Sequence, residues 1–545
     1  MTVAIDPGPL ERALDDAYAR LEQDRFIDAL WARRPDVWTS DPAVQRAIAS
    51  RLGWLGAMET MRPHVARMRA LGEAIGRSGT TDVVLLGMGG SSLAAETLRT
   101  VGGAPGGYPR FHVLDSVDPD AVRPAMERPA TTLFIVASKS GSTIEVTALA
   151  AEAERRVRAA GVDPGPQFVA ITDEQTSLHR RAVEGRFRDL FLNPADVGGR
   201  FSALTFFGLV PAALLGLDID ALLASAEAMA EACRAPDPRR NPGVALGAVL
   251  AAAAAVGRDK LTLRLPDALA SLGLWIEQLV AESTGKRGKG IVPLVGGRDG
   301  AAQADDRIVV DVGRPPSRAR HGQPHVRVAY EGLGAEFFRW EIATATAGFL
   351  LGVNPFDEPN VQQAKDATRA LLEAYVAERR LRVPAPHVTS DGVAITMSAA
   401  AGAPHGAPSL PALLRPGDYF GLLAYLPPDD ARLGPALQEL QSTVATKTGC
   451  ATMRGVGPRY LHSTGQLHKG GPNTGVFVIV AADAAVDLPV PGEPYSFGVL
   501  ETAQAIGDFH ALDRLGRRAF FVRLPRRDPA LLQRAAQTLL ADRPA

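Results

Sequence analysis

From residue 81 onward the chain repeats one rhythm: an apolar run of strand length, a turn of glycines or hydroxyls, then a stretch with helical spacing. The runs at 83–86, 111–114, 133–137, 167–171 and 189–192 are mostly Val, Leu, Ile, Phe and Ala, with little polar alternation. Strands of that composition are buried on both faces. When helices separate them they run parallel, with the helices covering both sides of the sheet. A doubly wound parallel α/β sheet is therefore expected over 78–215.

The rhythm returns twice. Strands expected at 261–265, 291–294, 308–312 and 325–330, with helices at 271–283, 335–352 and 361–377 packed around them, make a second unit over 216–383. The segment 315–324 carries three prolines and reads as turn and loop. After Pro384 the composition shifts to Ala, Gly, Pro and His through 416. Strands at 419–426, 475–480 and 519–524 then define an additional C-terminal α/β unit, 384–545. Ahead of all three, 1–77 shows helical spacing, with Leu10, Leu14, Tyr18 and Leu21 on one face and Leu52, Leu55, Met58 and Met61 on another. This N-terminal helical segment is expected to pack on the first α/β unit. A chain of 545 residues is too long for one core, and several domains are the natural outcome.

Composition removes some function classes. The net charge is −1 with no basic block, which argues against nucleic acid as a partner. The two cysteines, Cys233 and Cys450, are far apart and make neither a disulfide framework nor a thiolate metal cluster. No basic-then-apolar leader is visible at the N-terminus, so a cytoplasmic location is expected. The longest apolar run, 244–256, has 13 residues; it is too short for a bilayer and reads as a buried helix. No membrane, metal or nucleotide cofactor is expected, and no G-x-x-x-x-G-K-[ST] loop occurs.

Chemistry concentrates at a few turns. Gly87-Met88-Gly89-Gly90-Ser91-Ser92 and Ser138-Lys139-Ser140-Gly141-Ser142-Thr143 each lead from an apolar run to the start of a helix. A helix N-terminus offers free N–H groups and partial positive charge to an anion. Alone, the 138–143 turn is also read as a Ser-rich helix cap; two such turns in one frame suggest a pocket for a phosphorylated small molecule. Gly198-Gly199-Arg200 sets an arginine behind two glycines, where it can hold an anion or stabilise developing negative charge, although a surface arginine after a turn is the commoner outcome. Gln278 and Glu282 lie one helical turn apart just before the stop at Gly285. A carboxylate near a helix C-terminus opposes the macrodipole, so Glu282 is either ordinary solvated surface or retained for function.

Taken in order, these segments resemble the glucose-6-phosphate isomerase (phosphoglucose isomerase) family. The motifs that carry the resemblance are Gly87-Met88-Gly89-Gly90-Ser91, the 138–143 turn, Gly198-Gly199-Arg200-Phe201-Ser202 and Glu282-Ser283-Thr284-Gly285-Lys286. A fifth is Asn354-Pro355-Phe356-Asp357-Glu358-Pro359-Asn360-Val361-Gln362-Gln363-Ala364-Lys365. The resemblance implies two sugar-isomerase domains and reversible conversion of glucose 6-phosphate to fructose 6-phosphate through an enediolate, with no cofactor. It implies Glu282 as the base, Arg200 as the stabiliser of the intermediate and Lys365 as an aid to ring opening. It further implies Ser138, Lys139, Ser140 and Thr143 around the phosphate, and Gly90, Ser91, Gly199, Gln278 and Glu358 as further substrate contacts. Family members are usually dimers, so a homodimer is implied too.

The sequence departs from the family pattern in two places. The stretch Ala301-Ala302-Gln303-Ala304-Asp305-Asp306-Arg307 has no histidine where the family places one for ring opening, and Glu358 stands where the family has glutamine. The segment Arg459-Tyr460-Leu461-His462-Ser463-Thr464-Gly465-Gln466-Leu467-His468-Lys469-Gly470 resembles the C-terminal part of the isomerase half of fused transaldolase/glucose-6-phosphate isomerases. His462 or His468 is accordingly expected to take over the missing proton shuttle, unless both histidines serve the fold. Two other readings stay open from sequence: an isomerase for a different sugar phosphate, and a non-catalytic sugar-phosphate-binding regulator.

Overall fold

The computed structural model describes residues 3–103, 106–296, 304–315, 322–402, 409–428 and 430–541. The chain divides into two compact units, Met1–Asp115 with Met126–Asp357, and Ser116–Ala125 with Glu358–Ala545. Among the described residues no helix is long and apolar enough to cross a membrane.

In the first unit, strand β1 (Val3–Asp6) joins a sheet formed much later in the chain. The next five strands are β2 (Asp82–Gly87), β3 (Arg110–Leu114), β4 (Thr132–Ala137), β5 (Phe168–Thr172) and β6 (Asp189–Leu192). They form one parallel sheet in the order β3-β2-β4-β5-β6. Every residue of β2 and β4 is buried, as an unbroken apolar strand covered on both faces must be. β3 flanks β2 on one side and β4 on the other, so the winding reverses there. The crevice at the carboxyl ends of such strands is where open α/β sheets bind ligands. Gly87 and Ala137 are register partners, so the two hydroxyl-rich turns leave the sheet side by side.

The second sheet contains β7 (Lys260–Arg264), β8 (Val292–Val295), β9 (Arg307–Val312) and β10 (His325–Val328) in parallel, with β1 antiparallel on β10. Its order, β1-β10-β9-β7-β8, again sends the second strand to one side of the first and the third to the other. One continuous apolar core, running from Leu10 to Phe356, joins both sheets. The helix Pro242–Ala255 is apolar all round and buried along Pro242 to Ala253, which only an interior helix tolerates. The N-terminal helices do not pack on the first sheet alone. Helix Glu11–Gln23 lies against Pro242–Ala255, while Val65–Gly76 lies against Phe206–Leu214, where a Cβ on Gly72 would stand 2.2 Å from the Ala213 carbonyl oxygen.

The second unit has its own core and its own sheet: β11 (Val388–Ser390), β12 (Val393–Met397), β13 (Tyr419–Tyr425), β14 (Ala451–Val456), β15 (Gly475–Ala482) and β16 (Arg518–Leu524). The order is β11-β12-β16-β15-β13-β14, and its four parallel strands repeat the pattern of the other two sheets. Helix Pro359–Glu378 belongs here, not around the second sheet as the sequence suggests. It packs along Phe497–Arg514, with Gly507 in close contact with Thr368. The early segment Ser116–Ala125 is also held here, by loops leaving three strands. Arg527 pairs with Asp118 and Asp120, Arg432 lies 3.9 Å from Asp120, and Arg123 donates to the Val486 carbonyl at 2.8 Å. Burial raises the Asp118 carboxyl above its ordinary range, with Arg527 opposing the rise.

Candidate active site

The 138–143 turn is shaped by Gly141, whose φ of +66° belongs to the left-handed region and whose added Cβ would meet Thr176 at 2.6 Å. Ser138 Oγ and Thr143 Oγ1 are 3.1 Å apart, and Ser142 donates to Ser140 Oγ from its backbone N–H at 3.4 Å. The hydroxyl of Thr143 does not cap the helix Ile144–Ala159 that follows, which leaves the helix start available to an anion. Lys139 is anchored away from the turn: its ammonium meets Asp173 Oδ2 at 2.5 Å and the Ala195 carbonyl at 3.0 Å. Asp173, on the loop after β5, has its carboxyl pushed up by burial, with Lys139 opposing.

The turn Gly89–Ser91, after β2, abuts the turn Gly199–Phe201. A Cβ on Gly90 would sit 2.2 Å from the Gly199 carbonyl oxygen, so only glycine lets these backbones meet. Ser202 ties the pair together, donating to Gly199 O at 2.6 Å and Gly90 O at 3.5 Å. Ser91 is buried beside them. The same contact delivers Arg200, buried, to the end of helix Ala270–Thr284. There Arg200 Nη1 stands 3.3 Å from Glu282 Oε1, and Gln278 Nε2 donates to Glu282 Oε2 at 3.1 Å. Glu282 is 7% exposed, far from the solvated surface that an isolated glutamate usually occupies. Gly90, Gly199, Arg200, Gln278 and Glu282, spread over almost two hundred residues, thus form one cluster. An electrophilic guanidinium, a carboxylate and a glycine-lined approach are the parts needed for proton transfer beside a carbonyl.

Sequence reasoning passed over several residues that hold this cluster. Ser283 accepts from Arg200 Nε at 2.8 Å, and Lys286 pairs with Asp357 Oδ1 at 2.8 Å. Both belong to quoted motifs, yet nothing local distinguishes a residue that touches substrate from one that holds a neighbour. Asp173 carries no motif at all.

The remaining candidates lie in the second unit. Glu358 and Lys365 are exposed, at the start and in the second turn of helix Pro359–Glu378. That helix start is tied to the histidine segment: Gln466 accepts from the Asn360 N–H at 2.9 Å and donates to Asn360 Oδ1 at 2.8 Å. His462 is half-buried at the end of the short helix Arg459–His462. His468 is not placed for proton transfer to a ligand. It is 1% exposed, among the rings of Tyr419, Tyr460 and Phe477 at 6.4, 5.9 and 4.9 Å, and neither ring nitrogen has a hydrogen-bond partner. Burial holds its pKa well below the usual histidine value, with Lys469 and Arg517 adding to the effect. It is a neutral core residue. Of the histidine-free stretch 301–307, residues 301–303 lie outside the described residues. Among the described residues no group of three or more His, Cys, Asp or Glu could hold a metal ion.

A sequence-family model described as "Phosphoglucose isomerase" matches residues 54–296, which contain the whole cluster around Arg200 and Glu282. The glucose-6-phosphate isomerase of Rubrobacter xylanophilus is 31% identical over 381 residues, covering 57% of this chain and 87% of that protein. The enzyme of the same name from Synechococcus is 34% identical over 290 residues, covering about half of each chain, 50% and 51%. Among solved structures, a glucose-6-phosphate isomerase from Chlamydia trachomatis shares the fold, with a TM-score of 0.55 at 18% identity over 68% of this chain and 87% of that one.

Proposed function

The chain belongs to the phosphoglucose isomerase family, and from that premise we propose that it interconverts glucose 6-phosphate and fructose 6-phosphate through an enediolate. The observation that carries the reading is the buried Glu282 carboxylate held between Arg200 and Gln278. On the open-chain aldose, Glu282 takes the proton from C2. The C2–H electron pair becomes the C1=C2 double bond, and the carbonyl oxygen gains negative charge. Arg200 stabilises that charge, and Glu282 returns the proton to C1 while the C2 hydroxyl proton passes to O1, leaving the ketose. A base placed next to a carbonyl contributes roughly 10²–10⁴-fold, and a preorganised cation at the oxyanion contributes a comparable factor.

The two sheets of the first unit serve as paired sugar-isomerase domains. Ser138, Ser140 and Thr143 hold the 6-phosphate at the open helix start, and Lys139 exchanges Asp173 for it. Gly90, Ser91 and Gly199 line the sugar. Lys365 assists ring opening with His462 as the proton shuttle, Glu358 contacts the substrate, and the working enzyme is a homodimer. A coupled assay with fructose 6-phosphate tests the proposal, using Glu282→Gln as the control. Turnover by the wild type and its loss in the variant are expected. Activity that survives the substitution ends the base assignment, and binding without turnover returns the chain to the regulator reading.

A further inference from the structure

Lys139 belongs to the hydroxyl-rich turn by sequence, yet its ammonium is engaged outside it, on Asp173 Oδ2 at 2.5 Å and the Ala195 carbonyl at 3.0 Å. The shape of the turn does not depend on that contact. Backbone bonds already join the turn to β5 and the loop that follows: the Ser138 N–H donates to Ile171 O at 3.0 Å, and the Asp173 N–H donates to Lys139 O at 3.3 Å. Ser177 Oγ adds a further tie, donating to Gly141 O at 2.6 Å. The Lys139 side chain, a point charge on a flexible four-carbon stem, can therefore change partner while this framework stays in place.

Asp173 is poorly equipped to carry a charge without that lysine. Its side chain is 17% exposed, and Oδ1 is buried with no hydrogen-bond partner. Burial raises its carboxyl above the ordinary range, with Lys139 first and then Arg51 opposing the rise. These are the charged groups that face it, Lys139 from the turn after β4 and Arg51 from just beyond helix Pro42–Ala49. When an ammonium moves away from such a carboxylate, the desolvation remains and most of the compensation is lost, so the group gains a proton more readily.

We propose that Asp173 competes with the substrate for Lys139 and so sets how tightly the turn grips phosphate. The lysine passes from the Asp173 carboxylate to the 6-phosphate, and a proton from solvent takes its place on Asp173. This rests on the phosphate assignment made for the turn and adds a residue that controls binding without touching the sugar. One ammonium–carboxylate contact is broken, one ammonium–phosphate contact is formed, and Lys139 gives up the neutral Ala195 carbonyl as well. Where Asp173 is already protonated the lysine is available at once. At higher pH the phosphate contends with a carboxylate, so the competition strengthens as pH rises through the Asp173 range and then levels off.

The test is steady-state kinetics on fructose 6-phosphate, with inorganic phosphate as a competing inhibitor, across pH and alongside thermal melts. It compares the wild type with Asp173→Asn, Lys139→Met and the double variant; Asp173→Ser carries the test should the asparagine variant not fold. A hydrogen bond to a charged group is worth roughly tenfold or more in an equilibrium, so Asp173→Asn should lower KM and the phosphate inhibition constant by about tenfold at high pH. The ratio of wild-type to variant KM, in which the titration of phosphate itself cancels, should fall toward one as pH is lowered. In the Lys139→Met background the Asp173 substitution should alter neither constant, because no lysine is left to contend for. Binding by Asp173→Asn that is unchanged or weaker overturns the proposal, and so does a KM ratio that stays flat as pH falls. Mere structural support cannot give tighter binding with an unchanged melt. If Lys139→Met leaves both constants at their wild-type values, the phosphate assignment fails and this proposal with it; if Lys139→Met weakens both while Asp173→Asn alters neither, only the competitor role is lost.

Discussion

Gly90→Ala is the sharpest probe of how the two glycine turns build the cluster. The new Cβ would lie 2.2 Å from Gly199 O, 2.3 Å from Gly199 C and 2.8 Å from Arg200 N, all backbone atoms without a rotamer to change. Ordinary carbon–oxygen contact is about 3.3–3.6 Å, so one turn must retreat by roughly 1 Å. Overpacking of this kind costs about 1–3 kcal/mol, and melting should fall by about 2–4 °C for each kcal/mol. The retreat moves the backbone of Arg200 itself. A displacement of about 1 Å at a reacting group costs on the order of 10² in rate, so activity should fall much further than the folded fraction. A thermal melt with the coupled isomerase assay measures both. Gly199→Ala is the stability control, because its added Cβ meets nothing within 4 Å and it should melt like the wild type. The reasoning is refuted if Gly90→Ala melts within a degree of wild type and keeps its rate.

Other consequences are as direct. His468→Phe removes two buried nitrogens without partners, so it should leave turnover unchanged and melt at or above wild type; a tenfold loss of kcat would restore His468 as a proton carrier. Because its folded pKa lies below the unfolded value of about 6.5, the unfolded chain binds the extra proton. The wild type therefore loses stability as pH falls below that value, and the variant should lose less in an acid denaturation series. Glu341 has the opposite sign. Burial raises its carboxyl well above 4.5, so the folded chain holds the proton and stability declines as pH rises through that raised value. Glu341→Gln should gain melting temperature at pH 8 and little at pH 4, and equal gains at both would contradict this. Arg527→Met strands the buried Asp118, and breaking such a pair costs about 3–5 kcal/mol, readable as a lowered urea midpoint.

The parallel strands were legible because strands buried on both faces need unbroken apolar sequence, and the turns because only Gly, Ser and Thr suit them. β1 and β14 were not, since four residues at a sheet edge, or Ala451-Thr452-Met453-Arg454-Gly455-Val456 with a glycine inside, carry little pattern. The home of helix Pro359–Glu378 could not be read either. Its apolar stripe states that it packs on something, and the choice of Phe497–Arg514 is made by tertiary contact. Within the site, the motifs pointed to Arg200 and Glu282 but not to the 3.3 Å that separates them, because residues 200 and 282 meet only once the turn Gly199–Phe201 is packed against the end of helix Ala270–Thr284. His468 misled for the converse reason. A segment dense in His, Gln and Lys looks like chemistry until Tyr419, on an earlier strand, and Phe477, on the strand that follows, close over the ring.

The detour of Ser116–Ala125 bears on how such a chain can be cut. The backbone passes between the two compact units at residues 115/116, 125/126 and 357/358, so no single cleavage separates them. A truncation after Asp357 looks like removal of a terminal appendage. It would in fact leave Asp118 and Asp120 without Arg527 and Arg432, in the middle of a segment that leads from β3 back to β4. Conversely, a fragment beginning at Glu358 would expose Arg527 and the raised Glu501 carboxyl where an acidic strap belongs. The C-terminal fragment should be recovered only when the strap is supplied, for instance as a 116–125 peptide added to it. The two units are therefore inherited together, because the C-terminal unit includes a segment made long before the rest of it.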